Sequence, residues 1–177
     1  MIREILKYPE LALLTKSTAW DFTRPENEVD ELERDMFDTI IAANGLGLAA
    51  NQIGITERFI AMRLVQNDQF LMLYNPQILS TSDDLFQESE GCLSFPGVRL
   101  DIFRANTATV KFQNRYGDWE ERTFTGWDAK CVLHECEHLD GIVIKDHVSD
   151  LKYDRAVQKA KNSTGRTGSA KRKSRCP

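Results

Sequence analysis

Two histidines four residues apart, in the run His134-Glu135-Cys136-Glu137-His138, constrain this chain more than any other feature. On an α-helix such positions lie one turn above each other, so both imidazoles can share a metal ion and the intervening glutamate can reach water activated there. The flanking sequence asks for that helix. Thr125 and Asp128 can cap its start and Gly141 can end it, while Ala129, Val132, Leu133, Cys136 and Leu139 form an apolar stripe at about 100° per residue. The histidines fall on roughly the opposite side, so one face is apolar and the other chemically equipped. With only 3 histidines in the chain, chance sets this pattern in about 0.4% of shuffled sequences, and a pair of surface histidines is the weaker reading.

Two imidazoles do not suffice for a catalytic metal, which usually takes three protein ligands and keeps one position open. A metzincin would need a further histidine where Ile144 stands, and no glutamate follows Glu137 to serve as a downstream ligand. Cys92 is the best candidate. It lies in Glu90-Gly91-Cys92-Leu93-Ser94-Phe95-Pro96-Gly97, whose glycines and proline predict an exposed, tightly turned backbone. A thiolate suits zinc or ferrous iron. His147 is the rival ligand, and an aspartate the other alternative. Cys136 points with the apolar stripe, Cys131 shares the helix on the pocket side, and Cys176 is near the C-terminus. None of the four cysteines forms a CxxC pair, and reduced thiols are expected.

Elsewhere the pattern predicts a helix over residues 25–43, opened by a capping box at Thr23-Arg24-Pro25-Glu26 and carrying Val29, Leu32, Met36, Phe37, Ile40 and Ile41 at 3/4 spacing. Runs rich in β-branched and aromatic residues predict strands over 58–65, 70–74, 107–113 and 119–124, the last after a turn at Tyr116-Gly117-Asp118. Helix, many short strands, then helix suggests an α+β fold rather than a parallel βαβ sheet. Gly45-Leu46-Gly47-Leu48-Ala49-Ala50-Asn51-Gln52 lacks the spacing of a phosphate loop and reads by itself as a helix cap and small-residue packing corner. A zinc nucleobase deaminase is excluded by the lack of H-x-E and P-C-x-x-C.

A length of 177 residues points to one domain. All 27 acidic residues lie in 1–154 beside 15 of the 23 basic ones, a formal charge of −12. Residues 155–177 carry the remaining 8 bases and no acid, so 1–154 is expected to be the domain and 155–177 a basic, flexible tail. No apolar run approaches the roughly 20 residues of a membrane span, and residues 1–10 hold no secretory core, which predicts a cytoplasmic protein.

Taken in order, Gly45 to Gln52, Glu90 to Ser94 and His134 to His138 resemble the three motifs of the peptide deformylase family, G-x-G-L-A-A-x-Q, E-G-C-L-S and H-E-x-x-H. The likeness extends over about residues 1–150, with the Leu6-Lys7-Tyr8-Pro9 start and the Asn75-Pro76 pair. The resemblance implies antiparallel sheets packed around a central helix carrying HExxH, with an N-terminal helix. It implies hydrolysis of the formyl group from N-formylmethionyl nascent peptides, with one divalent metal per chain, Fe2+ or Zn2+, and Ni2+ or Co2+ as substitutes. Carried over by position, Cys92, His134 and His138 would bind the metal, Glu135 would be general base and acid, and the Gln52 side chain and Leu93 N–H would stabilise the oxyanion. Leu46, Gly47, Gly91, Arg99, Trp127 and Cys131 would contact the substrate.

This sequence departs from the family pattern at Asn51 for proline, Phe95 for a smaller aliphatic, Leu133 for glutamine and Glu137 for aspartate. The ligands are untouched; pocket shape and the groups that orient the ligands are affected. The short C-terminal region resembles phage-encoded members, so the setting expected is a bacterial or phage-infected cytosol, and the protein a monomer. The basic tail could draw the protein to the phosphate-coated ribosome. Two rival readings are another metal-dependent amidase and a non-catalytic, metal-stabilised module that binds ribosome or RNA; Glu135 speaks against the second, because a structural site needs no base.

Overall fold

The computed structural model describes residues 1–170, with side chains to Ser163. Among these residues the chain forms β1 (Thr18–Ala19), α1 (Glu26–Ala42), β2 (Gly47–Ala49), β3 (Glu57–Arg63), β4 (Phe70–Thr81), β5 (Leu85–Gly91), β6 (Arg99–Ala105), β7 (Thr107–Gln113), β8 (Trp119–Thr125), α2 (Gly126–Leu139) and α3 (Asp150–Ala170). Short 3-10 turns occur at Leu11–Leu14, Ala50–Ile53 and Ile144–His147. One sheet has the order β1-β3-β4-β7-β8, with β2 also on β3, while β5 and β6 pair separately. Every pairing is antiparallel except β1 on β3. The molecule is the expected α+β mixture dominated by antiparallel sheets.

β3 anchors the core. Phe59, Ile60, Ala61 and Met62 are all fully buried, a continuous run rather than an alternation, because both α1 and α2 touch this strand. Burial of Phe59, Ile60 and Met62 contributes about 1.5–3 kcal/mol for each side chain. α1 offers Leu32, Met36 and Ile40 to the same core. Its start differs from the sequence expectation: Pro25 is the N-cap and makes no side-chain bond, and Thr23 instead donates to Asp21 at 2.9 Å. The predicted capping box is therefore not formed.

The β5–β6 pair was not expected from the sequence. β6 alternates strictly, turning Leu100, Ile102 and Arg104 inward, whereas β5 is mostly exposed and polar. Leu100 and Ile102 join Leu13, Cys92, Phe95, Val98, Val143 and Ile144 in a second apolar cluster. Tyr153, Ala156, Val157 and Ala160 of α3 pack on that cluster, so the expected boundary after residue 154 falls inside a helix that lies on the body. The Lys171-Arg172-Lys173 run and Cys176 lie outside the described residues. Among the described residues no helix is long and apolar enough to cross a membrane.

Candidate metal centre

α2 carries the histidine pair, and its two ends are fixed by different means. Thr125 is the N-cap as expected but makes no side-chain bond; Asp128 accepts the Val65 N–H at 2.9 Å, tying the first turn to the loop after β3. At the other end Gly141 is left-handed at φ +75°, with Gly141 N–H on the His138 carbonyl and Ile142 N–H on the Glu137 carbonyl, both at 3.0 Å. A Cβ at Gly141 would stand 2.8 Å from the Leu14 carbonyl oxygen, so the position admits no side chain. The Asn51 amide also donates to the His138 carbonyl. Ala129, Val132, Cys136 and Leu139 enter the main core, and Leu133 packs against it partly buried.

The opposite face meets the loop between β5 and β6. Phe95 N–H on the Cys92 carbonyl at 2.9 Å and Val98 N–H on the Phe95 carbonyl at 3.1 Å turn this loop tightly. The turn is as predicted, but Cys92 itself is buried, covered by α2 and Gln52, not exposed. Its Sγ lies 3.1 Å from His138 Nε2, and the donor atoms of Cys92, His134 and His138 all lie within 4.8 Å of one another. His147, the rival ligand, is elsewhere: its Nε2 is 2.8 Å from Glu137.

His134 Nδ1 meets Glu90 Oε1 at 2.6 Å, which leaves Nε2 for the cluster. Burial opposes a charge on His134, yet its hydrogen bonds to Cys92 and Glu90 raise its pKa well above the usual value. The surroundings favour positive charge at that point. Burial drives His138 the other way, towards neutral imidazole. One thiol and two imidazoles, buried and converging, fit a soft or borderline divalent cation.

Glu135 is buried beside the cluster, and burial pushes its carboxyl up to about 7, near the value useful to a base at neutral pH. Its Oε2 has no partner among the described residues. Gln52 is oriented by the Ala49 N–H, which donates to Oε1 at 2.8 Å; Nε2 then reaches Ser94 Oγ at 3.1 Å and Cys92 Sγ at 3.6 Å. Gly47, on β2, is a steric necessity. A Cβ there would meet Cys131 Sγ and Glu135 Oε1, each at 2.6 Å.

A cavity of about 410 Å³ opens over this centre, and Leu46, Gly47, Gln52, Gly91, Cys92, Leu93, Arg99, Trp127, Cys131, His134 and Glu135 all line it. Three segments far apart in sequence thus share one wall, with His138 beneath. Sequence reasoning missed the groups behind it. Arg104 grips Glu90 at 2.9 and 3.1 Å and Glu137 at 2.6 Å, joining His147, Glu137, Arg104, Glu90 and His134 in one chain. Lys130, also on the pocket wall, was missed too. The signal for Arg104 was its inward place in the β6 alternation, legible only once that strand is recognised.

A family model described as Polypeptide deformylase matches residues 2–154. A peptide deformylase of Phenylobacterium zucineum is 38% identical over 163 residues, 90% of this chain and 95% of that protein. One of Wolbachia pipientis wMel is 38% identical, covering 90% and 94%. Among solved structures, a peptide deformylase from Legionella pneumophila superposes with a TM-score of 0.82 at 34% identity, over 94% of this chain and 99% of that one. The Synechococcus elongatus enzyme in complex with actinonin gives 0.81 at 32%, over 90% and 86%. The buried thiol and paired imidazoles, the carboxyl beside them and these likenesses agree: the chain belongs to the polypeptide deformylase family.

Proposed function

We propose that this centre removes the formyl group from nascent formylmethionyl peptides, with Cys92, His134 and His138 holding one divalent cation. Family membership makes the chain a metal-dependent hydrolase of that class. The observation that carries the residue assignment is the buried cluster of three donor atoms within 4.8 Å beside a carboxyl with an unpartnered oxygen. Ferrous iron or zinc suits one thiolate and two imidazoles, with nickel or cobalt as substitutes. When bound, the cation supplies Lewis acidity for the formyl carbonyl and for water. Glu135 takes a proton from the attacking water and returns it to the leaving amine. Gln52 Nε2 and the Leu93 N–H donate to the oxygen that becomes negative. Leu46, Gly47, Gly91, Arg99, Trp127 and Cys131 seat the peptide.

We read α2 as the centre of the fold, supported by its contacts with β2, β3, β4, β6, β7 and β8. Residues 1–154 form the catalytic domain in this reading, supported by the extent of the family match, and 155–177 a basic extension. The charge asymmetry supports attraction of that extension to the ribosome. The chain acts as a monomer in a bacterial or phage-infected cytosol.

The test is formate release from formyl-Met-Ala against an acetylated control, with metal content measured alongside. Glu135→Gln should keep the metal and lose about 100-fold or more in turnover, whereas Cys92→Ala should lose the metal. Wild-type turnover in Glu135→Gln would overturn the role of Glu135, and full metal in Cys92→Ala that of Cys92.

A further inference from the structure

Lys130 is a buried cation on the pocket wall with nothing to receive its protons. It stands on α2 one turn before His134, and its side chain is 5% exposed. Its Nζ has no hydrogen-bond partner among the described residues. Glu90 Oε2 is 4.0 Å away and the Trp127 ring centroid 4.5 Å, contacts that balance charge without taking a proton. Glu90 is already committed, accepting from Arg104 and meeting His134. An ammonium carries three donors, and a buried donor left without an acceptor is destabilising, more so when charged. A ligand that brought an acceptor here would recover that cost.

The shape of the pocket says which part of a ligand can do so. Leu46, Trp127 and Arg99 line it with exposed side chains, whereas Lys130, Cys131 and Glu135 line it buried, Lys130 Nζ lying against the Trp127 ring. A peptide chain runs from its formyl end out to solvent, so its first side chain is the part that comes near the buried lining. Lys130 and His134 stand four residues apart on α2, about 6 Å along the helix axis, within reach of an unbranched side chain. We propose that Lys130 is a specificity-determining residue that selects N-formyl peptides whose first side chain is unbranched and ends near a strong hydrogen-bond acceptor, with methionine sulfoxide as the occupant that fits. This rests on the deformylase reading above. A thioether sulfur accepts weakly, while a sulfoxide adds a strongly accepting oxygen to a chain of the same length. The reaction is unchanged: the formyl C–N bond breaks, water supplies the second oxygen of formate beside the one the formyl group already carries, and the amine gains a proton. The sulfoxide is a spectator, so no oxidant or reductant is needed.

The test compares kcat/KM for formyl-methionine sulfoxide-Ala-Ser and formyl-norleucine-Ala-Ser, which has no acceptor, in the metal-loaded wild-type protein and in Lys130→Met. The ratio is read within each preparation, so a reduced folded fraction leaves it unchanged. The wild-type ratio should be one or more and should fall about tenfold or further in the variant. A wild-type preference for norleucine of tenfold or more overturns the proposal without any variant, and so does a ratio that Lys130→Met leaves unmoved. Failure of the deformylase reading looks different: the wild type would release formate from neither peptide, nor from formyl-Met-Ala-Ser.

Discussion

His134 and His138 stand one turn apart on the same helix, with ring centroids 4.8 Å apart, but their surroundings have little in common. The His134 ring is held by Glu90, which is held by Arg104, which also holds Glu137 and through it His147. Four elements, β5, β6, α2 and the 144–147 turn, meet in that chain. His138 has no counterpart. Its Nδ1 is buried without a partner among the described residues, and the residue is fixed by packing, by Cys92 and by the Asn51 amide on its backbone. A carboxylate on the outer nitrogen fixes the tautomer and makes the ring a stronger donor, whereas packing fixes position alone. One imidazole is tuned by charge and the other is placed by shape.

The change that should break this contrast most severely is Arg104→Leu. It leaves the Glu90 and Glu137 carboxylates without their cation, Glu90 in a buried site, at a cost of about 3–5 kcal/mol in urea unfolding at neutral pH. Burial alone would raise Glu90, but hydrogen bonds with His134 and Arg104 hold it well below the usual carboxylate range; Glu137 is lowered as well, chiefly by His147 and Arg104 against the effect of burial. Carboxyls depressed in the folded state stabilise fully above their unfolded value of about 4.3 and lose that contribution as pH falls below it. The difference between wild type and Arg104→Leu should therefore shrink at about pH 3. An undiminished difference there would place the stabilisation in packing instead of charge.

Glu90→Gln is the gentler probe, because it keeps the shape and removes the charge behind His134. Metal affinity should weaken about 10–100-fold, measured by chelator competition. Asn51→Ala is the matched change on the His138 side, and it should cost about 1 kcal/mol in stability with affinity near wild type. Equal losses of affinity in the two would erase the distinction. The smallest effect belongs to His147→Ala, at the partly exposed end of the chain, where less than about 1 kcal/mol is expected in thermal or urea unfolding.

What could be read from the sequence follows the same division. The α2 helix, its apolar stripe and the ligand candidates were legible because local spacing encodes them: i, i+4 for the histidines, glycine and proline for the turn at Cys92. β7 was predicted with its observed ends, since Thr107 to Gln113 alternates cleanly. β5 was not, because Leu85-Phe86-Gln87-Glu88-Ser89-Glu90-Gly91 presents mostly polar residues and pairs only through its partner across the hairpin. β2 was hidden for another reason: three small or apolar residues become a strand only when β3 lies alongside. The Arg104 chain was hidden with β5 and β6, for it joins residues 10 to 44 positions apart through strands that local pattern did not reveal. Capping was legible in residue type and not in outcome, as Thr23 and Asp128 found other partners.

The close approach at Gly47 has a consequence for how such a site can change over generations. A glycine codon has no single-base neighbour that encodes a smaller residue, so every missense step there adds at least a Cβ, into space held by Cys131 Sγ and Glu135 Oε1. The atoms displaced belong to the proposed base and to Cys131 of the main core, so the lesion would fall on turnover and folding together. A lineage under pressure from a pocket-filling inhibitor is thereby steered away from this position. Its open routes run through Leu46 and Trp127, whose side chains face solvent at the rim and can be exchanged without touching the carboxyl.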